Sequence, residues 1–151
     1  MDFYLVRHGE ARSEMEDARR PLNERGRREV ESVARAAAAK KITVLEIVHS
    51  DKLRAKETAE ILARHLFPVR GVRRTQGLGP EDDPFIAKEE LDAAAHSLML
   101  VGHLPHLGRL ASLLLTGNPD NVVVGFSTAT IACLARERGK WRLRWTLSPE
   151  A

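Results

Sequence analysis

The sequence predicts an α/β fold, a single-domain three-layer α/β/α sandwich with a mainly parallel central sheet, on two observations. Short apolar runs of strand length alternate with longer segments whose apolar residues recur at helical spacing, the pattern of successive βα units. Three of the apolar runs stop at polar residues suited to anion chemistry: Arg7-His8 after the first, Ser50 and Arg54 after the second, and His103 after a later one. Folds of this class place their sites at the carboxyl ends of the strands, so neighbouring strands would bring these groups to one rim.

The elements follow in order. Phe3 to Val6 is a strand entering a turn at Arg7-His8-Gly9. From Asn23 to Lys41, Val30, Val33, Ala34 and Ala37 trace one helical face, Asn23 serves as N-cap, and the alanine run favours helix. Leu45 to Val48 is a second buried strand. Ala55, Ala59, Leu62, Ala63 and Leu66 mark a second helix, capped by Ser50 or Asp51 and ended before Pro68. Val69 to Thr75, rich in arginine, is a third strand near a sheet edge, and Gln76 to Pro84, with its glycines, prolines and acids, is a loop. Phe85 to Ala95 is a third helix and Leu98 to Val101 a fully apolar strand. Pro105 suits the first turn of a fourth helix, which runs through Leu107, Leu110, Ala111 and Leu114 and stops at Gly117. Val122 to Val124, Thr128 to Ala135 and Trp141 to Leu147 complete the set as strands, the last two forming a hairpin around Arg138-Gly139. No repeat or linker divides the chain, which reads as one domain over residues 1–151.

Composition excludes several classes of function. The chain is 43% hydrophobic and 30% charged, with both signs present, as in soluble globular proteins. No run reaches the ~20 apolar residues of a membrane helix, and Phe3 to Val6 is too short for a signal peptide, so a cytoplasmic protein with no membrane partner is expected. The net charge of +3 comes from Lys and Arg interleaved with Glu along the helices, the pattern of solvated faces. Only 5% of residues are aromatic, too few for a base-stacking ladder, and no nucleic acid is expected as partner. A modest positive balance does attract anionic substrates. Cys133 is the single cysteine; flanked by Ile131 and Leu134, it reads as a buried, inert thiol.

Arginine and histidine in this arrangement suit phosphoryl transfer, where catalysis is largely positioning and electrostatic stabilisation. A guanidinium stays charged and its fork matches phosphate oxygens, and Arg54 would sit in the first turn of a helix whose amides add favourable potential. A neutral imidazole has a lone pair for in-line attack on phosphorus, while a second imidazole can donate to the phosphoryl oxygens.

Three motifs then carry a resemblance. Leu5-Val6-Arg7-His8-Gly9-Glu10, the stretch from Ser50 to Thr58 with Arg54 within it, and Val101-Gly102-His103 resemble the histidine phosphatase (phosphoglycerate mutase-like) superfamily. Arg20-Pro21-Leu22, Gly26, His103-Leu104-Pro105 and the short chain resemble its SixA-like phosphohistidine phosphatase branch. The resemblance spans residues 3 to about 148. It implies His8 as nucleophile, Arg7, Arg54 and His103 as the phosphate pocket, and Arg20 reaching the same anion from the loop before the first helix. Ser50 and Thr58 occupy motif positions read as structural. Larger family members use an acid after the third strand to protonate the leaving group; Glu81, Asp82 and Asp83 are the candidates here. A protonated imidazole is a good leaving group, so phosphohistidine makes the smaller demand on such an acid.

The expected activity is therefore a metal-independent phosphohydrolase with no cofactor, acting on a phosphorylated protein through its phosphohistidine and releasing inorganic phosphate. A small phosphorylated metabolite, such as a sugar or acid phosphate, is the alternative substrate, and a catalytically idle anion-binding domain the third reading. His49, His65, His96 and His106 are not expected to be catalytic. The spacing of His103 and His106 is one that metals use, but no paired carboxylate accompanies it, so no metal site is expected.

Overall fold

The computed structural model describes residues 1–149. Six strands form one sheet: β1 (Asp2–Arg7), β2 (Glu46–His49), β3 (Val72–Arg74), β4 (Leu98–Gly102), β5 (Ile131–Glu137) and β6 (Lys140–Leu147). Their order across the sheet is β3-β2-β4-β1-β5-β6. The β3-β2, β2-β4 and β4-β1 pairs are parallel, and β5 runs antiparallel to both its neighbours. Only β5 is reversed, so the mainly parallel sheet predicted from the βα alternation is what forms.

Side-chain alternation divides the strands between two layers of helix. Tyr4 and Val6 of β1, Met99 and Val101 of β4, and Ile131 and Cys133 of β5 join a core with α1 (Glu24–Ala39) and α2 (Leu53–Leu66). Phe3 and Leu5, Leu98 and Leu100, and Ala132 and Leu134 join the opposite core with α3 (Pro84–Ala93) and α4 (His106–Thr116). Strands β1 and β4 are thus apolar on both faces, which is why they read as continuous apolar runs. Cys133 is fully buried with its thiol pKa pushed up to about 12 by burial, in keeping with an unreactive thiol.

Local chemistry sets the helix ends. Asn23 caps α1 by accepting from Gly26 N at 2.7 Å, as its residue type predicts. The hairpin between β5 and β6 turns on Arg138 and Gly139, both at positive φ, the requirement of a two-residue turn that matches strand twist.

Three expectations need correction. Helix α2 has neither Ser50 nor Asp51 as its N-cap residue: Lys52 takes that position and, having no acceptor, contributes no side-chain cap, while Ser50 Oγ bonds His103 and accepts from Lys52 N. The arginine-rich strand shrinks to Val72–Arg74, at the predicted sheet edge. Val122 to Val124 is not a strand. Strand β5 takes the edge of β1 that would receive it, and the segment instead lays Val124 and Phe126 on the α3/α4 core.

Candidate active site

The sheet gathers the strand-end residues because β1 lies beside β4 and β4 beside β2. Arg7 and Gly102 are register partners, His49 pairs with Val101, and His8 N donates to Gly102 O at 3.0 Å. His8 and His103 consequently follow adjacent parallel strands, and their rings lie 4.9 Å apart.

His8 is 9% exposed, and its Nδ1 lies 2.6 Å from Gly9 O. A carbonyl can only accept, so the proton of the neutral ring stays on Nδ1 and Nε2 keeps its lone pair. Burial lowers the His8 pKa to about 4, reinforced by the charges of Arg54, Arg7 and Arg20 and opposed by the bond to Gly9. The imidazole is therefore neutral at pH 7. The loop that holds it is fixed from two sides. Gly9 N donates to Thr58 Oγ1 at 3.0 Å, and that hydroxyl donates to Arg54 O at 2.8 Å. Asn23 N donates to Glu10 O, and Gly26 packs so tightly that a Cβ there would come within 2.1 Å of Glu10 O.

His103 is 1% exposed, and its Nε2 lies 2.6 Å from Ser50 Oγ. Nδ1 is enclosed and has no partner among the described residues. Where the hydroxyl donates to Nε2, the ring proton is on Nδ1. Burial pushes this pKa down to about 3, and His8, Arg54, Lys52 and His106 push it in the same direction. Arg7 Nη1 donates to Phe126 O at 3.0 Å, while the Nε atoms of Arg7 and Arg54 are enclosed and unpartnered among the described residues. Burial lowers the pKa of both guanidiniums from a very high value, so they remain cationic.

Arg20 approaches from the loop before α1. Held at φ +50 with Nε donating to Arg12 O, it lines a cavity of about 390 Å³ together with Arg54, Arg19 and Lys52. Its charge acts on both His8 and Arg54. Of the acidic candidates, Asp82 lines a cavity that shares Asp51 with that of Arg20 and Arg54. Glu81, Asp82 and Asp83 are exposed; Asp82 accepts from Gly79 N, Asp83 caps α3 by accepting from Phe85 N, and both carboxylates act electrostatically on His106. The backbone contact to Phe126 and the hydroxyl of Ser50 on His103 are the two site features that strand periodicity does not signal.

The family model of the histidine phosphatase superfamily (branch 1) matches residues 3–78, just over half the chain, including Arg7, His8 and Arg54. The chain belongs to this superfamily. An uncharacterized Picosynechococcus protein is 38% identical over 125 residues, covering 78% of this chain and 74% of its own. The phosphohistidine phosphatase SixA of Escherichia coli is 27% identical over 155 residues, covering 99% of this chain and 94% of the relative. Among solved structures, the protein histidine phosphatase SixA complexed with tungstate superposes with a TM-score of 0.89 at 26% identity, covering 99% and 97% of the two chains. The histidine phosphatase described here is thus a SixA-like phosphatase in sequence and in fold. No helix among its described residues is long and apolar enough to cross a membrane.

Proposed function

We propose that this phosphatase hydrolyses phosphohistidine carried by a protein, with His8 as nucleophile and Arg7, Arg54, His103 and Arg20 holding the phosphoryl oxygens. The tautomer of His8 carries the reading: with Nδ1–H spent on Gly9 O and the ring neutral at pH 7, Nε2 is the lone pair available for in-line attack. As the new P–N bond forms, the bond to the substrate imidazole breaks, and the leaving nitrogen departs as a neutral imidazole once the ring is protonated. Water then attacks the phosphorylated His8, inorganic phosphate leaves, and Nε2 recovers its lone pair.

The enclosed Nε groups of Arg7 and Arg54 and the Nδ1–H of His103 support this arrangement. Each is a buried donor of the kind that costs about 1–3 kcal/mol when unmet, and each finds an acceptor in a phosphoryl oxygen. The substrate class rests on two supports. The SixA relatives are named for phosphohistidine and protein histidine, and the acids after β3 are exposed or tied into local caps, which suits a leaving group that needs no strong acid.

The test compares a chemically phosphorylated histidine-containing protein with p-nitrophenyl phosphate and sugar phosphates, for wild type and His8→Ala, with and without chelator. The expected result is preference for phosphohistidine, abolished in His8→Ala and indifferent to chelator. Preference for a sugar phosphate would replace the protein substrate with a metabolite; full activity of His8→Ala would remove the nucleophile.

A further inference from the structure

A second histidine beside the site makes the same kind of backbone contact as His8. His49 ends β2, is 5% exposed, and its Nδ1 lies 2.7 Å from Ser50 O, so the proton of the neutral ring is on Nδ1. Its Nε2 is an acceptor that no donor among the described residues meets, and the ring lines a cavity of about 460 Å³. That cavity opens between α2 and the edge strand β3. In the β2-β3 register His49 stands opposite Arg74, which puts both side chains on the face of the sheet that α2 covers.

The charge around this cavity is uncompensated. Lys56 of α2 and Arg74 of β3 line it, and neither makes an ion pair among the described residues, whereas the neighbouring Arg73 is held by Glu46 at 3.1 Å. Asp51 is the acid of the lining, and it lies 4.0 Å from Lys52. Asp51 and Leu53 also line the cavity that contains Arg20 and Arg54, so the two spaces adjoin. Among the described residues, β3 has no strand on its outer side.

We infer that the cleft between α2 and β3 receives an acidic segment of the phosphoprotein flanking its phosphohistidine, with His49 Nε2 accepting from a backbone N–H and Lys56 and Arg74 pairing with acidic side chains. The inference rests on the phosphoprotein reading. A peptide lying along the cleft would meet these groups from the α2-covered face, and opposite charge then selects among sequences. The cleft contacts no reacting atom, so it governs KM for a peptide and leaves the chemical step alone.

The probes are two synthetic peptides with one phosphohistidine each, flanked by glutamates or by serines, and free phosphoramidate. Lys56→Glu/Arg74→Glu is expected to raise KM for the acidic peptide about tenfold, the work of two partly exposed charge pairs, with kcat unchanged. The same variant should turn over phosphoramidate within about twofold of wild type, and His49→Ala should raise KM for both peptides. Equal KM for the acidic peptide in wild type and the double variant would overturn the cleft, as would a parallel loss on phosphoramidate. A wild type that consumes phosphoramidate but neither peptide would fail at the substrate class itself, a distinct outcome that removes both readings.

Discussion

Ser50→Ala separates a positioning role from a structural one at His103. The substitution removes one hydroxyl, leaving Nε2 of a fully buried imidazole without the partner it has at 2.6 Å and Lys52 N without the acceptor it has at 3.3 Å. An orphaned buried acceptor costs about 1–3 kcal/mol, which for a chain of this size lowers Tm by about 2–10 °C. Without that donor the ring proton is no longer confined to Nδ1, and the tautomer that presents N–H to the phosphoryl group becomes one of two. Loss of the partner that orients a metal-ligating histidine typically costs about 10–100-fold, and a fall of the same order in kcat/KM on a phosphohistidine protein is expected here. The decisive measurement is a double-mutant cycle with His103→Ala. If Ser50 acts through His103, adding Ser50→Ala to His103→Ala changes the rate by less than about threefold. A further tenfold loss in the His103→Ala background, or wild-type kcat/KM in Ser50→Ala alone, would refute the reasoning.

Histidine pKa values give a second expectation. His8 and His103 ordinarily titrate near 6.5 but in the folded protein near 4 and 3, so the unfolded chain binds protons that the native state refuses. Stability should therefore be constant near pH 7 and fall as pH drops below about 6.5, by a few kcal/mol in all before the folded-state values are reached; tungstate, by favouring the charged rings, should shrink that fall. Thermal unfolding from pH 7.5 to 4.5 checks it, alongside NMR titration of the two rings, and ring midpoints near 6.5 would contradict it. Gly26→Ala should destabilise by more than about 3 kcal/mol or prevent folding, since its Cβ would meet Glu10 O at 2.1 Å, and denaturant unfolding measures the loss. Asp83→Asn should cost at most about 1 kcal/mol, because asparagine caps nearly as well, and Asp82→Asn similarly little; turnover of phosphohistidine by either variant should stay within about threefold of wild type.

Much of the fold was legible because two-sided burial leaves a direct mark. Strands β1, β2 and β4 are covered by helices on both faces, so their residues form apolar runs that end where the rim begins, and the rim is where Arg7, His8 and His103 stand. Arg54 was legible through its offset from Ser50 in a helix with a clear apolar face. What periodicity could not carry was the choice among partners for the same group. Ser50 reads equally well as an N-cap or as a core hydroxyl, and only the adjacency of β2 to β4 commits it to His103. The valines at 122 to 124 have strand propensity, but strand formation needs a free edge, and β5 occupies it. Likewise, nothing local in Phe126 marks its carbonyl as the acceptor for Arg7, 119 residues away in sequence.

On the proposed mechanism, the chemistry belongs within the crowded end of a parallel sheet instead of on an open surface. A nucleophilic imidazole near neutral pH needs to be unprotonated and fixed in one tautomer, and solvent provides neither. Packing His8 behind Gly9, Thr58 and the start of α1 provides both, at the expense of stability in acid. The same crowding explains the cations. Three guanidiniums near one neutral ring would repel one another in the free enzyme, as the effect of Arg20 on Arg54 indicates. A dianionic phosphoryl group relieves that repulsion and raises the proton affinity of both histidines at once. Binding energy and protonation are therefore coupled: anions should bind more tightly as pH falls from 7 toward 5, with one or more protons taken up per anion. Calorimetry of tungstate binding in buffers of different ionisation enthalpy would detect that uptake, and binding with no proton exchange across this range would show that the charge of the pocket is set by the arginines alone.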